Sequence, residues 1–230
     1  EELGMRLLCL PTHFMDTIGS WRSIFDEENE PIFELASEYN LAVELHPYDG
    51  EKFILLENQA WRFHLIWMLA QCADAYHFFT LNGYHEKFSG MRVCFAHGAQ
   101  LAQINLGRRI QGFDGRPDLF EGMKHPRGAV GHRNIFFDPL VHDTGSLKLL
   151  IDNQGAAQVV LGLDDPYPLG EMESEVQSSY PGKLLDLAIE RDVIDQDEYD
   201  AIWSDNTVRW LCGDDKDAQE AFVQRIRGQN

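Results

Sequence analysis

The stretch Val159-Val160-Leu161-Gly162-Leu163-Asp164-Asp165-Pro166-Tyr167-Pro168-Leu169-Gly170 decides how this chain is read. Its apolar, β-branched opening has the character of a buried parallel strand, and two carboxylates followed by two prolines forbid any continuation. An acid is thus held at a strand's C-terminal end, where α/β sheets and barrels keep their chemistry because the loops that follow are free to vary. The same grammar appears in Leu41-Ala42-Val43-Glu44-Leu45-His46-Pro47 and in Met91-Arg92-Val93-Cys94-Phe95-Ala96-His97-Gly98. Three strands therefore end in His, His and Asp.

Working outward, the pattern predicts a strand over residues 7–10, an amphipathic helix over 26–39 and the strand to His46. A long helix over 61–82, interrupted near 73–75, stops at Asn82-Gly83. The strand to His97 precedes a helix over 99–111 closed by Gly112. Residues 114–133, rich in Gly, Pro and charge, are too long for a routine connection and read as an active-site or interface loop. A strand over 134–138, a short helix seeded by 146–150, the strand over 158–163 and closing helices over 182–191 and 195–211 complete the chain. Helical crossovers make the strands parallel, so the class is α/β, as a barrel or an open sheet.

In 230 residues, 38 acids face 19 bases, a formal net charge of −19 that argues against a nucleic-acid partner. Neither a run of 18 apolar residues nor a basic segment leading into an apolar core is present, so no membrane association and a cytoplasmic location are expected. Cys9, Cys72, Cys94 and Cys212 are scattered, without a CxxC pair, and read as reduced core thiols.

Four motifs then carry a resemblance. Residues 161–171, 93–98, Glu-Leu-His-Pro-Tyr-Asp over 44–49 and Leu-Val-His-Asp-Thr-Gly-Ser-Leu-Lys-Leu-Leu over 140–150 resemble consecutive motifs of the 2-amino-3-carboxymuconate-6-semialdehyde decarboxylase family. The resemblance implies a zinc-dependent, non-oxidative decarboxylase of the amidohydrolase superfamily on a distorted (β/α)8 TIM barrel. It runs from about residue 4 to residue 213, giving residues 1–213 as the latter part of one barrel domain and 214–230 as a C-terminal helical tail. It makes His46 and Asp164 ligands of zinc, or of another divalent transition metal, with Asp164 also counted as catalytic. It makes His97 the general base beside the metal. Arg108, eleven residues after His97, takes the place of an arginine that reaches a neighbouring subunit's site in a homodimer and binds a substrate carboxylate; Arg109 beside it leaves that assignment open by one residue. Trp61 is a candidate aromatic wall.

The chemistry suits such residues. Borderline-soft zinc takes imidazole nitrogen and carboxylate oxygen, and a catalytic zinc keeps a position for water whose pKa falls to about 7, so that a nearby His can collect its proton. In the family's mechanism, as the resemblance implies it, the resulting hydroxide adds to the unsaturated carbon bearing the carboxylate, which leaves as CO2. An arginine fork suits a remaining carboxylate.

The sequence also departs from the family. A His-x-His pair on the first barrel strand is expected of the family, and none occurs here. Residues 4–13 match a mid-barrel strand, so the chain is expected to hold roughly strands four to eight. Omission of a preceding stretch is favoured over its loss, since open barrel edges invite aggregation. Gly98-Ala99-Gln100 stands where a glycine run is usual, and Asp165 where an aromatic is usual. The leading expectation is a decarboxylase of an unsaturated or aromatic carboxylic acid; the alternatives are a metal-dependent hydrolase of the same superfamily and a non-catalytic binding relative.

Overall fold

The computed structural model describes residues 4–48 and 60–228, so Asp49 of the histidine motif lies outside the described residues. The chain begins with β1 (Leu7–Pro11) and a small antiparallel hairpin, β2 (His13–Met15) and β3 (Trp21–Ser23). There follow α1 (Glu30–Glu38), β4 (Ala42–His46), α2 (Ala60–Arg62), α3 (Met68–Leu81) and α4 (Tyr84–Lys87). Next come β5 (Arg92–Phe95), α5 (Gln100–Ile104), α6 (Leu106–Gly115), β6 (Ile135–Phe137) and α7 (Thr144–Gln154). Four helices close the chain, α8 (Lys183–Glu190), α9 (Gln196–Asp200), α10 (Asn206–Cys212) and α11 (Lys216–Ile226).

β1, β4, β5 and β6 lie side by side in that order, all parallel, and Val159 adds a single parallel bridge to Phe137. Strands that neighbour one another in chain order, each crossing over through helices, form an arc of a (β/α) barrel. The pleat sorts their side chains. Leu8, Leu10, Val43, Leu45, Val93, Phe95, Ile135 and Phe137 pack outward into the main core with α1, α3, α5, α7 and α8. Ala42, Cys94, Phe136 and Val160 face the other way and meet Trp210 of α10, which covers the inner face near the strand starts. Because His46 is four residues beyond Ala42, the period of two puts it on the inner face as well, at the opposite end.

Local chemistry sets the helix ends. The Asp143, Asp195 and Asp215 carboxylates accept the backbone N–H of Ser146, Glu198 and Ala218, capping α7, α9 and α11, each cap contributing about 1 kcal/mol. Gly83 adopts φ +71°, a left-handed turn that a side chain would strain, and so ends α3 where Asn82-Gly83 predicts.

Several expectations need correction. Residues 158–163 do not form a full strand: β6 is only three residues long, and the Val159 carbonyl is taken by the Asn206 side chain at 2.8 Å instead of by a neighbouring strand. The helix expected to break near 73–75 instead loosens into a π-helical turn over Phe63–Trp67 and is regular thereafter. The helix after His97 breaks at Asn105 and continues past Gly112 to Gly115. Cys9 is exposed, not a core thiol, although all four cysteines are free. Among the described residues, no helix is long and apolar enough to cross a membrane.

Candidate metal centre

β4 ends on His46, whose Nε2 lies 3.2 Å from Asp164 Oδ1. His97 stands two residues past β5, its ring centroid 5.0 Å from that of His46 at 64°. One ligand atom from each of His46, His97 and Asp164 lies within 4.8 Å of the others. The expected convergence of these three side chains is therefore present, although of the three only His46 ends a strand. The imidazoles of His46 and His97 are buried, and among the described residues neither His46 Nδ1 nor His97 Nε2 has a hydrogen-bond partner. A buried polar nitrogen without a partner costs on the order of 1–3 kcal/mol, a penalty that a bound ion, a proton or a ligand would relieve. Two imidazoles and a carboxylate at this spacing fit one divalent transition metal.

Backbone strain is concentrated at this rim. His97, Ala99, His142 and Asp164 all have left-handed φ, at 54°, 41°, 66° and 53°. For residues with a Cβ that conformation costs on the order of 1–3 kcal/mol each and persists only where the surroundings hold it. At His97 the holding group is Asp138, whose Oδ2 accepts the His97 N–H at 2.9 Å and whose Oδ1 accepts that of Gly98 at 3.2 Å. Burial pushes the Asp138 carboxyl up to about 6, against the lowering effect of these hydrogen bonds. Burial, helped by the neighbouring His46, pushes the His97 imidazole down to about 4, so it is neutral at pH 7.

The triad opens into a cavity of about 540 Å³, within the range of small-molecule sites. Phe63, Leu65, Met68, Leu69, Val141 and Leu169 give it an apolar wall, while Gln100, His64 and His142 add polar groups. Among the described residues, no Lys or Arg lines it.

Comparison with known proteins now bears on the site. No family model matches the chain. It is 32% identical over 169 residues to 2-amino-3-carboxymuconate-6-semialdehyde decarboxylase of Dictyostelium discoideum, an alignment covering 72% of this chain and 44% of that protein. The chain thus spans under half the length of the curated relatives it matches. Among solved structures it resembles a dihydroxybenzoic acid decarboxylase from Polaromonas with bound manganese, at TM-score 0.69 and 13% identity, covering 94% of this chain and 64% of that one. It resembles 4-oxalomesaconate hydratase from Rhodopseudomonas palustris at TM-score 0.64 and 16% identity, covering 99% and 60%. The chain shares its fold with these solved structures.

Within this arc of parallel strands the remaining expected residues sit apart from the triad. Arg108 is exposed on α6 and does not line the cavity; Arg109 next to it is buried, its guanidinium 5.0 Å above the Tyr76 ring. Trp61 is 54% exposed and also lies outside the lining, although Phe63 and His64 of the same helical run belong to it. None of residues 114–133 lines the cavity, so that segment is not a wall of this site; it packs as two short 3-10 turns against the outer helices. Asp138 and His64 are not among the residues that the sequence singles out. A signal existed for Asp138, an acid directly after the apolar strand Ile135–Phe137.

Proposed function

We propose that this chain carries the metal centre of a decarboxylase acting on an unsaturated or aromatic carboxylic acid such as 2-amino-3-carboxymuconate-6-semialdehyde. The observation that carries the reading is the meeting of His46, His97 and Asp164 donor atoms within 4.8 Å at the mouth of a largely apolar cavity. The named relative from Dictyostelium supports the reaction class.

In this reading His46 and Asp164 hold a divalent ion, zinc being the ion the donor set suits. Such an ion supplies Lewis-acid polarisation and a water of lowered pKa when bound. His97, neutral at pH 7, is the group on this chain that takes up a proton at Nε2 and returns it. As the carbon–carbon bond to the carboxylate breaks, its electron pair stays on the substrate carbon, which is then protonated, and neutral CO2 leaves. The apolar wall strips water from the departing carboxylate, which favours the uncharged product.

A carboxylate substrate needs a cation, and among the described residues none lines the cavity. We assign that role to Arg108 of a second copy in a cytoplasmic homodimer, with Trp61 at the rim as an aromatic contact. The test is CO2 release by the protein with and without a chelator: release that stops on chelation and returns with Zn2+ is expected, and turnover indifferent to the chelator overturns the reading. Fold likeness to a hydratase favours water addition without loss of CO2 as the second reading. A panel of carboxylic acids set against lactones and amides separates decarboxylation, hydration and hydrolysis.

A further inference from the structure

We infer that Asp138 is a positioning residue, which fixes the His97 imidazole against His46 and Asp164 by holding the backbone turn that carries it. The inference rests on the reading of those three side chains as the reactive centre. Asp138 directly follows β6 and is buried, and its two oxygens accept three backbone N–H groups: His97 at 2.9 Å, Gly98 at 3.2 Å and Leu140 at 2.9 Å.

Two of those donors belong to an unusual turn. His97, Gly98 and Ala99 have φ of 54°, 59° and 41°, three successive left-handed residues. In this turn the His97 and Gly98 N–H groups both point at the Asp138 carboxylate. Only Gly98 adopts the conformation freely, so His97 and Ala99 need an outside hold. Here the hold is the chain's own carboxylate. On the other side of the turn, Gln103 Nε2 donates to the Gly98 carbonyl at 3.0 Å.

The same carboxylate faces the segment that leads to Asp164. A Cβ on Gly162 would lie 2.6 Å from the Asp138 Cβ and 3.4 Å from its Cγ, so the Asp138 side chain packs on the Gly162 backbone without room for a methyl group. Asp138 is thus wedged between the turn bearing His97 and the run ending in Asp164. Among the described residues, no hydrogen bond to His97 Nε2 fixes that edge of the ring. The direction of the imidazole is therefore set by the turn, and the turn by Asp138.

The test uses Asp138→Asn, which keeps the side chain's shape but sets amide donors against backbone donors. In metal-free protein with labelled histidines, the ring-to-ring contact of His46 and His97 is read by NMR, and Co2+ affinity is then measured by titration. Loss of the contact and a Co2+ Kd weakened ~10–100-fold are expected, the usual effect of removing an orienting partner. A variant that melts earlier yet keeps the ring contact, and Co2+ affinity within about twofold of the parent, overturns the inference. Should Asp138→Asn not fold, Gly162→Ala presses on the same carboxylate while leaving its charge, and must disturb the same contact; a folded Gly162→Ala protein with the contact intact is equally fatal. The NMR measurement involves neither metal nor substrate, so it fails independently of the decarboxylase reading, which stands or falls on CO2 release.

Discussion

His46 Nε2 and Asp164 Oδ1 are 3.2 Å apart although 118 residues separate them in the chain. Each is delivered by the sheet: His46 closes β4, and Asp164 follows the run that bridges to β6 at Val159. With His97 between them they define one ligand cluster, and the first prediction concerns it. Asp164→Asn keeps the shape but replaces a charged ligand with a weak neutral one. Zn2+ or Co2+ affinity should drop at least tenfold, measured by calorimetric titration, and His46→Ala should behave alike.

The stability of the protein should rise with pH between about 4 and 6.5. His97 and His77 are both pushed down to about 4, each mainly by burial, with the charge of His46 on the first and of Arg109 on the second. In that window the unfolded chain binds their protons and the folded chain does not, so acidification unfolds. Asp138 works in the opposite sense, since its carboxyl, raised to about 6, holds a proton in the fold that the unfolded chain has released. Two histidines against one carboxylate leave about one proton in favour of the unfolded state near pH 5. Thermal melts across this range should show Tm falling with pH, and His77→Gln should flatten that fall.

Catalysis by a shared site gives a third outcome. Chains carrying His97→Ala and chains carrying Arg108→Ala are each expected to be inactive alone. Mixing them should restore part of the activity, because one of the two sites in a mixed dimer then has both groups. Absence of any recovery would show each site to be self-contained.

The outer core is expected to respond strongly to a single truncation. Phe95 is fully buried, edge-on to Tyr76 at 5.3 Å and to Phe79 at 5.5 Å. Phe95→Ala should lower stability by ~3–5 kcal/mol through lost burial and the cavity left behind. Since Phe95 sits two residues before His97, denaturant melts and metal affinity should both suffer, the second less than in Asp164→Asn.

Much of this site was legible before any coordinates. Two apolar runs stopped at His46 and near His97 are strands, the run stopped by Asp-Asp-Pro adds one bridge beside them, and a parallel sheet brings their ends to one rim. The period of two assigns His46 to the inner face with Ala42, and the caps at Asp143 and Asp195 follow from local hydrogen bonding. These are properties of short segments, fixed by side-chain size, branching and the geometry of a few consecutive residues.

What tertiary structure alone decided depends on partners far along the chain. Arg109 turns inward and Arg108 outward because the Tyr76 ring of α3 offers the buried face, a choice that helix periodicity leaves open by one residue. The left-handed turn at His97 holds because a carboxylate 41 residues later reaches its N–H groups. The run over 159–163 keeps one bridge because an asparagine of α10 takes the carbonyl that a strand would have used. Pattern in the sequence names the elements and their exposed ends; long-range packing and hydrogen bonding choose, among conformations of similar local energy, the one that aims each side chain.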